Sequence, residues 1–254
     1  MVLYSTRMDR RSTYPSFMAG VWVSALTILW GASILGIATA ASPASETDRP
    51  KIVAFGDSLT AGLGVAPEDS YPAELQRRLD ALGFRFRVIN AGVSGETTAG
   101  GLRRVPWILR SRPQFVILEL GANDGLRGLK PEQTRANLER MIQQLQASGT
   151  HVILAGMTLP PNYGPDYIAE FERIFPDLAA QYGLTLIPFF LEGVAASGTL
   201  NQADGIHPTA EGYRRIVAGV LRTLEPVLAR NQKLKPMGKT ATPASPNVQP
   251  GRSR

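Results

Sequence analysis

The chain contains no cysteine, and this absence removes a whole set of chemistries. Disulfide bonds, thiolate metal sites, cysteine nucleophiles and lipidated cysteine anchors are all excluded. Histidine is almost as scarce, with 2 residues among 254. Because histidine is the side chain best suited to accept a proton near neutral pH, the candidates for a catalytic base reduce to His151 and His207.

The middle of the chain also lacks an excess of charge, although the whole chain has a formal charge of +6. Residues 1–40 contain three arginines and one aspartate, and residues 231–254 contain five basic side chains and no acidic one. Basic and acidic side chains nearly balance between these two ends. Sequence motifs of RNA- and DNA-binding proteins are absent as well. We therefore expect no nucleic-acid partner.

Both ends of the chain differ in composition from the middle. Arginines precede a long apolar run that contains Ala38-Thr39-Ala40, a small-x-small cleavage pattern. Residues 1–42 are therefore predicted to be a signal peptide or, if uncleaved, a membrane anchor, and the protein is expected to be exported, either periplasmic or secreted. Residues 43–50 are predicted as a linker. Residues 231–254, rich in Pro, Lys, Thr and Ser, are predicted as a disordered basic tail.

Five short runs of apolar or β-branched residues predict strands between the two ends. They occupy residues 51–56, 85–90, 115–120, 151–157 and 184–188. Their hydrophobicity is continuous rather than alternating, as in a parallel sheet that is covered on both faces. Helical patterns separate them, so the sequence predicts one doubly wound α/β domain over residues 51–230. Such a sheet binds ligands beyond the carboxyl ends of its strands.

Ser58 follows the first predicted strand, within GDSLTAG (56–62). A serine at this point is either a helix cap or a nucleophile, and the local sequence suits both. His207 lies at the same end of the predicted sheet, three residues after Asp204, whereas His151 starts the fourth strand at the opposite end. A histidine base oriented by an aspartate would activate the serine hydroxyl. We predict Ser58, His207 and Asp204 as a catalytic triad, with no role for His151.

Three hydrogen-bond donors follow three different predicted strands. They are the backbone N–H groups of Ser58 and Gly95 and the side-chain amide of Asn123. Asn123 could instead serve as a turn residue, and Gly95 could provide backbone freedom alone. We predict an oxyanion hole from all three, because a tetrahedral intermediate needs donors that are fixed in advance.

Four segments at successive strand ends resemble the SGNH hydrolases, also called the GDSL lipase/esterase superfamily. They are GDSLTAG (56–62), SGETT (94–98), LGANDGLRG (120–128) and DGIHP (204–208). The defining residues of the superfamily match Ser58, Gly95, Asn123 and His207, with Asp204 as the third member of the triad. Within the superfamily the chain is similar to the periplasmic acyl-CoA thioesterase I, lysophospholipase and arylesterase group.

This resemblance implies a three-layer α/β/α sandwich with a five-stranded parallel sheet of the flavodoxin-like type. It also implies cleavage of esters and thioesters without a metal or another cofactor. Ala122 departs from the pattern, since a second glycine is common before the asparagine. Its methyl group would narrow the substrate groove, so the preferred acyl length does not follow from the resemblance.

Apolar loops are predicted to bind the substrate. The segment MTLPPNYGPDYIAEF (157–171) is either a rigid connection or an apolar wall for an acyl or aryl group, and GLRGL (125–129) is predicted as a lip on the other side. We predict the wall and expect the following residues to contact substrate: Leu126, Leu159, Pro160, Tyr163 and Ile206. Glu96, Glu119 and Asp124 could suggest a metal site, but with no second histidine at this end we predict none.

The sequence therefore predicts an exported serine hydrolase of carboxylic esters and thioesters that forms an acyl-enzyme. An acyl- or acetyltransferase or a deacetylase with the same triad, acting on a polysaccharide or cell-wall acceptor, is the alternative. A non-catalytic lipid-binding domain is a more distant one. The expected partner is a small-molecule ester or thioester, and membrane contact is expected only through an uncleaved N-terminal segment. We expect a monomer.

Overall fold

A computed structural model describes residues 49–234. The predicted signal peptide or anchor (1–42), the linker up to residue 48 and the tail from residue 235 lie outside the described residues. Between residues 49 and 234, no helix combines the length and the apolarity needed to cross a bilayer.

Five parallel strands form one sheet in the order β2-β1-β3-β4-β5. Their bounds are β1 Lys51–Gly56, β2 Arg87–Gly92, β3 Phe115–Glu119, β4 His151–Ala155 and β5 Thr185–Ile187. Every residue of β3 and all but the first of β1 are buried, as the continuous apolar runs of a covered parallel sheet require. The order 2-1-3-4-5 is the flavodoxin-like one, and the predicted fold class is confirmed.

Helices cover both faces of this sheet. Those of the described residues are α1 Ser58–Ala61, α2 Tyr71–Ala81, α3 Thr98–Arg110, α4 Ala122–Leu126, α5 Pro131–Ala147, α6 Pro165–Tyr182 and α7 Ala210–Leu234. The helix α2 packs against α7, while α3, α5 and α6 pack in a row. This arrangement gives three layers, with the apolar core between the sheet and each layer of helices.

The second strand begins two residues later than the sequence predicts. It pairs with β1 from Arg87 onward, with Lys51 opposite Arg87. Phe86 is buried, and the side chain of Gln76 donates to the carbonyl of Phe86 and accepts from the N–H of Val88. Phe86 is therefore apolar because its side chain lies in the core, and its carbonyl is bound by Gln76 and not by β1.

Other element ends differ from the prediction as well, since β4 ends at Ala155 and not at residue 157. The last strand stops at Ile187, because Pro188 has no N–H to donate to a ladder. The helix α7 continues to Leu234, past the domain end predicted at residue 230. Neither a glycine nor a proline interrupts residues 227–234, so nothing in this stretch ends the helix at 230.

Candidate active site

The turn after β1 presents Ser58 at the carboxyl end of the sheet. Asp57 caps α1, because its Oδ1 accepts from the N–H of Leu59 at 3.0 Å. Gly62 ends the helix with φ of 81°, a conformation that favours glycine. The capping role open to Ser58 therefore belongs to Asp57. Ser58 is the first residue of α1, and it is 8% exposed.

His207 reaches Ser58 from a loop 149 residues further along the chain. Its Nε2 lies 2.9 Å from the Ser58 Oγ, and its Nδ1 lies 2.6 Å from the Asp204 Oδ2. The other carboxylate oxygen of Asp204 accepts from the N–H groups of Ile206 and His207. One tight turn thus builds the contact between His207 and Asp204, and Gly205, with φ of 72°, allows that turn.

Asp204 keeps its charge throughout the neutral range. Hydrogen bonds from the backbone and the side chain of His207 lower the pKa of Asp204 to about 2. An ionised carboxylate opposite Nδ1 favours the tautomer in which Nδ1 carries the proton. The unprotonated Nε2 then faces the hydroxyl of Ser58. This arrangement can move a proton from Ser58 to His207.

The three predicted oxyanion donors lie around the same cavity. The N–H groups of Ser58 and Gly95 donate no hydrogen bond to any residue between 49 and 234. The Asn123 amide, on α4, donates to the Asp57 Oδ2 at 2.9 Å. Gly95 has φ of 75°, and its carbonyl accepts from the Arg127 guanidinium at 2.8 Å. Two backbone donors without an internal partner and one oriented amide therefore belong to residues that line the cavity beside Ser58.

A cavity of about 580 Å³ opens beside Ser58 and His207. Four of the five predicted substrate residues line it: Leu126, Leu159, Pro160 and Ile206. Tyr163 does not line it. The ring of Tyr163 stacks on that of Tyr167 at 6.4 Å, and its hydroxyl donates to the carbonyl of Leu126. Tyr163 therefore binds the backbone of Leu126, a lining residue, without lining the cavity itself.

Several lining residues escaped prediction from the sequence. They are Leu63, Phe189, Leu191, Ala195 and Ala196. Phe189 and Leu191 lie two and four residues after the end of β5, and apolar residues shortly after a strand end were the signal available for them. Ala122, the departure from the superfamily pattern, also lines the cavity.

The three carboxylates considered for a metal site are engaged separately. Glu96 pairs with Arg104, and Asp124 accepts from the N–H and the hydroxyl of Thr98. Glu119 accepts from the Thr60 hydroxyl at 2.6 Å. Among the described residues, no group of three acidic or histidine side chains could hold a metal ion.

Two carboxyl groups lie buried beneath Ser58. Asp57 is 1% exposed and Glu119 is 0% exposed. Burial raises the pKa of Asp57 to about 6 and raises the pKa of Glu119 well above its ordinary value. The second histidine, His151, begins β4 at the other end of the sheet and stacks on Phe115.

Comparison with known proteins gives consistent matches. The GDSL-like lipase/acylhydrolase family matches residues 54–215. Esterase TesA of Pseudomonas aeruginosa is 47% identical over 178 residues, which are 70% of this chain and 89% of that protein. An arylesterase of Vibrio mimicus is 41% identical, over 73% of this chain and 92% of that protein. Thioesterase 1/protease 1/lysophospholipase L1 of Escherichia coli is 36% identical, over 70% and 84%.

A solved structure is similar over a comparable share of the chain. The psychrotrophic esterase EstA from Pseudoalteromonas sp., described as inhibited by monoethylphosphonate, aligns with a TM-score of 0.68 and 33% identity. The alignment covers 70% of this chain and 98% of that one.

Proposed function

The chain belongs to the GDSL-like lipase/acylhydrolase family, and we propose that it is a serine hydrolase that cleaves carboxylic esters and thioesters through Ser58, His207 and Asp204. Its relatives are named esterase, arylesterase and thioesterase/lysophospholipase. The observation that carries the proposal is the distance of 2.9 Å between the Ser58 Oγ and the His207 Nε2, with Asp204 on the far side of the ring.

The reaction follows from the positions of these groups. His207 takes the proton of Ser58 at Nε2 while the Ser58 Oγ attacks the acyl carbonyl carbon. The negative charge on the carbonyl oxygen is stabilised by the N–H groups of Ser58 and Gly95 and by the amide of Asn123. His207 then gives its proton to the leaving alcohol or thiol, and the acyl group remains on Ser58.

Hydrolysis of the acyl-enzyme uses the same groups in reverse. His207 accepts a proton from water as the water oxygen attacks the acyl carbon. The proton then returns to the Ser58 Oγ, and the free carboxylic acid leaves. Asp204 stays charged in both halves and stabilises the imidazolium that forms at each attack.

The walls of the cavity indicate the kind of acyl group. Leu126, Leu159 and Ile206 face it, together with other apolar residues such as Leu63 and Phe189. A mostly apolar pocket with few polar groups at one end suits a fatty or aromatic group with a single reactive carbonyl. Small-molecule esters and thioesters of such acids are therefore the expected substrates. The monomeric state and the export of the protein stay predictions from the sequence.

Replacement of Ser58 tests this function directly. The purified Ser58→Ala variant should lose turnover of p-nitrophenyl esters of graded length, of phenyl acetate and of palmitoyl-CoA, while keeping its circular dichroism spectrum. The control is Ser148→Ala, because Ser148 follows α5 at the opposite end of the sheet and should not affect the rate. Undiminished hydrolysis by Ser58→Ala would end the proposal, and the panel shows which acyl length the cavity prefers.

A further inference from the structure

Glu119 contacts the Ser58 turn on both sides of the serine. It is the last residue of β3 and is fully buried. One carboxyl oxygen, Oε2, accepts from the Thr60 hydroxyl at 2.6 Å and from the Asp57 N–H at 3.4 Å. A single oxygen therefore holds the residue before Ser58 and a residue of the first turn after it.

Among residues 49–234, no positive charge pairs with this carboxyl group. Within residues 49–234, Glu119 forms no salt bridge. The groups that face it are Asp57 and Thr60 from the turn, Tyr71 from α2 and Tyr213 from α7. Arg104 of α3 donates to the Gly56 carbonyl but is paired with Glu96. A second negative charge next to Asp57 and away from water is strongly unfavourable.

The other oxygen of Glu119 adds a second, geometric argument. Its Oε1 is buried and has no hydrogen-bond partner among the described residues, and the same holds for the hydroxyls of Tyr71 and Tyr213. Buried polar atoms of this kind are normally satisfied. A carboxylate oxygen can only accept, whereas a protonated one can also donate. A bridging water between Oε1–H and the two hydroxyls would satisfy all three groups.

We propose that Glu119 is a positioning residue for the hydrolysis, which as a neutral carboxylic acid holds the Asp57–Thr60 turn under Ser58 and leaves the single negative charge of the pair on Asp57. The proposal rests on the proposed function. A charged Asp57 accepts from the Leu59 N–H with one oxygen and from the Asn123 amide with the other. If Glu119 were ionised, Asp57 would take up the proton instead. The Asn123 amide would then lose its acceptor, and its aim at the oxyanion would loosen.

Two substitutions separate this role from simple packing. Glu119→Gln keeps the size of the side chain, the acceptor for Thr60 and a donor toward the tyrosines, and it is neutral at every pH. Glu119→Leu keeps the volume approximately and removes all of these hydrogen bonds. We expect kcat of Glu119→Gln to stay within about threefold of the wild-type value, and kcat of Glu119→Leu to fall roughly a hundredfold, as misplaced catalytic groups do. KM should change little in either variant.

Stability as a function of pH provides a readout that does not depend on activity. Because folding raises the pKa of Glu119, the folded protein keeps a proton that the unfolded chain releases above about pH 4.3. The contribution of Glu119 to stability is therefore fully present below that pH and is lost as the pH rises toward the folded pKa. The Tm of Glu119→Gln minus that of the wild type should therefore increase from pH 5 to pH 8.

Infrared spectroscopy of the full chain tests the protonation state itself. At pH 8, where Asp57 is ionised, the wild type minus Glu119→Gln difference spectrum should contain the carbonyl band of a protonated carboxylic acid. A missing band, a Tm difference that does not change with pH, or an equal loss of kcat in both variants would overturn the proposal. The band and the Tm do not involve turnover, so failure of the hydrolase function itself would appear separately, in Ser58→Ala.

Discussion

Asp57, which precedes Ser58, and Asp204, which contacts His207, show how strongly the surroundings of an aspartate set its pKa. Asp204 has a side chain that is 45% exposed, and hydrogen bonds from His207 and Ile206 lower its pKa to about 2. Asp57 also accepts a backbone N–H, from Leu59, yet it is 1% exposed and its pKa is raised to about 6. Burial outweighs hydrogen bonding at Asp57, and the reverse holds at Asp204.

The difference gives the two aspartates opposite effects on stability. Asp57 contributes stability that is present below its ordinary pKa of 3.8 and is lost as the pH rises through about 6. Asp204 contributes stability that is present above 3.8 and is lost as the pH falls toward 2. Near neutral pH the exposed aspartate is a fixed charge that orients His207. The buried Asp57 has a pKa close to neutral pH and accepts from the Asn123 amide.

The largest expected loss of kcat is at His207, the partner of the exposed Asp204. His207→Gln should lower kcat by up to about a millionfold, the loss that accompanies removal of a triad histidine. The remaining histidine provides a matched control, because His151 lies at the other end of the sheet. His151→Gln should leave kcat unchanged. Comparable losses in both variants would show that the effect comes from the fold and not from proton transfer.

The two aspartates themselves should differ by orders of magnitude. Asp204→Asn should lower kcat about ten-thousandfold, because an amide no longer stabilises the tautomer that His207 needs. Asp57→Asn offers one oxygen where two are used, so either Leu59 or Asn123 loses its acceptor. This should cost less than the hundred- to thousandfold loss of a complete oxyanion donor, on the order of tenfold. Steady-state kinetics would refute the comparison if Asp57→Asn were the more damaging of the two.

The smallest expected effect is a change in the shape of the pH profile. The kcat/KM of the wild type should fall as the pH drops through about 6, because Asp57 takes up a proton there and the Asn123 amide loses its charged acceptor. Asp204, with a pKa of about 2, stays ionised throughout. Asp57→Asn should lack this part of the pH dependence, so its acid limb should be shallower than that of the wild type. Measurements between pH 5 and pH 8 decide this, and identical slopes would mean that Asp57 does not titrate in this range.

Most of the fold is predictable because a strand that is covered on both faces needs a continuous apolar run, and such a run is visible in the sequence. β1 and β3 have this pattern, and their predicted bounds agree with the structure within one residue. The edge strand β2 is half exposed, so its apolar pattern is weak, and its register depends on pairing with Lys51. That pairing is a tertiary contact, which the local sequence does not contain.

Local spacing also explains which parts of the site were predictable. Asp204 and His207 are three residues apart and meet through one turn, and Ser58 and Asn123 follow strands that end at the same edge. The chemical roles of these residues stay predictions. No positive role for Glu119 could be predicted from the sequence, since only packing shows that it accepts from the Thr60 hydroxyl and lies near Tyr71 and Tyr213. Leu63 reaches the cavity through the loop after α1, whose path depends on tertiary contacts.

The central claim is that His207 activates Ser58 as the nucleophile, and a fluorophosphonate probe tests it most directly. Intact-protein and peptide mass spectrometry should find one adduct per chain, located on Ser58. The adduct should be absent from Ser58→Ala and should form far more slowly in His207→Gln. Esterase activity that persists with Ser58 unlabelled, or equal labelling of His207→Gln, would contradict the account.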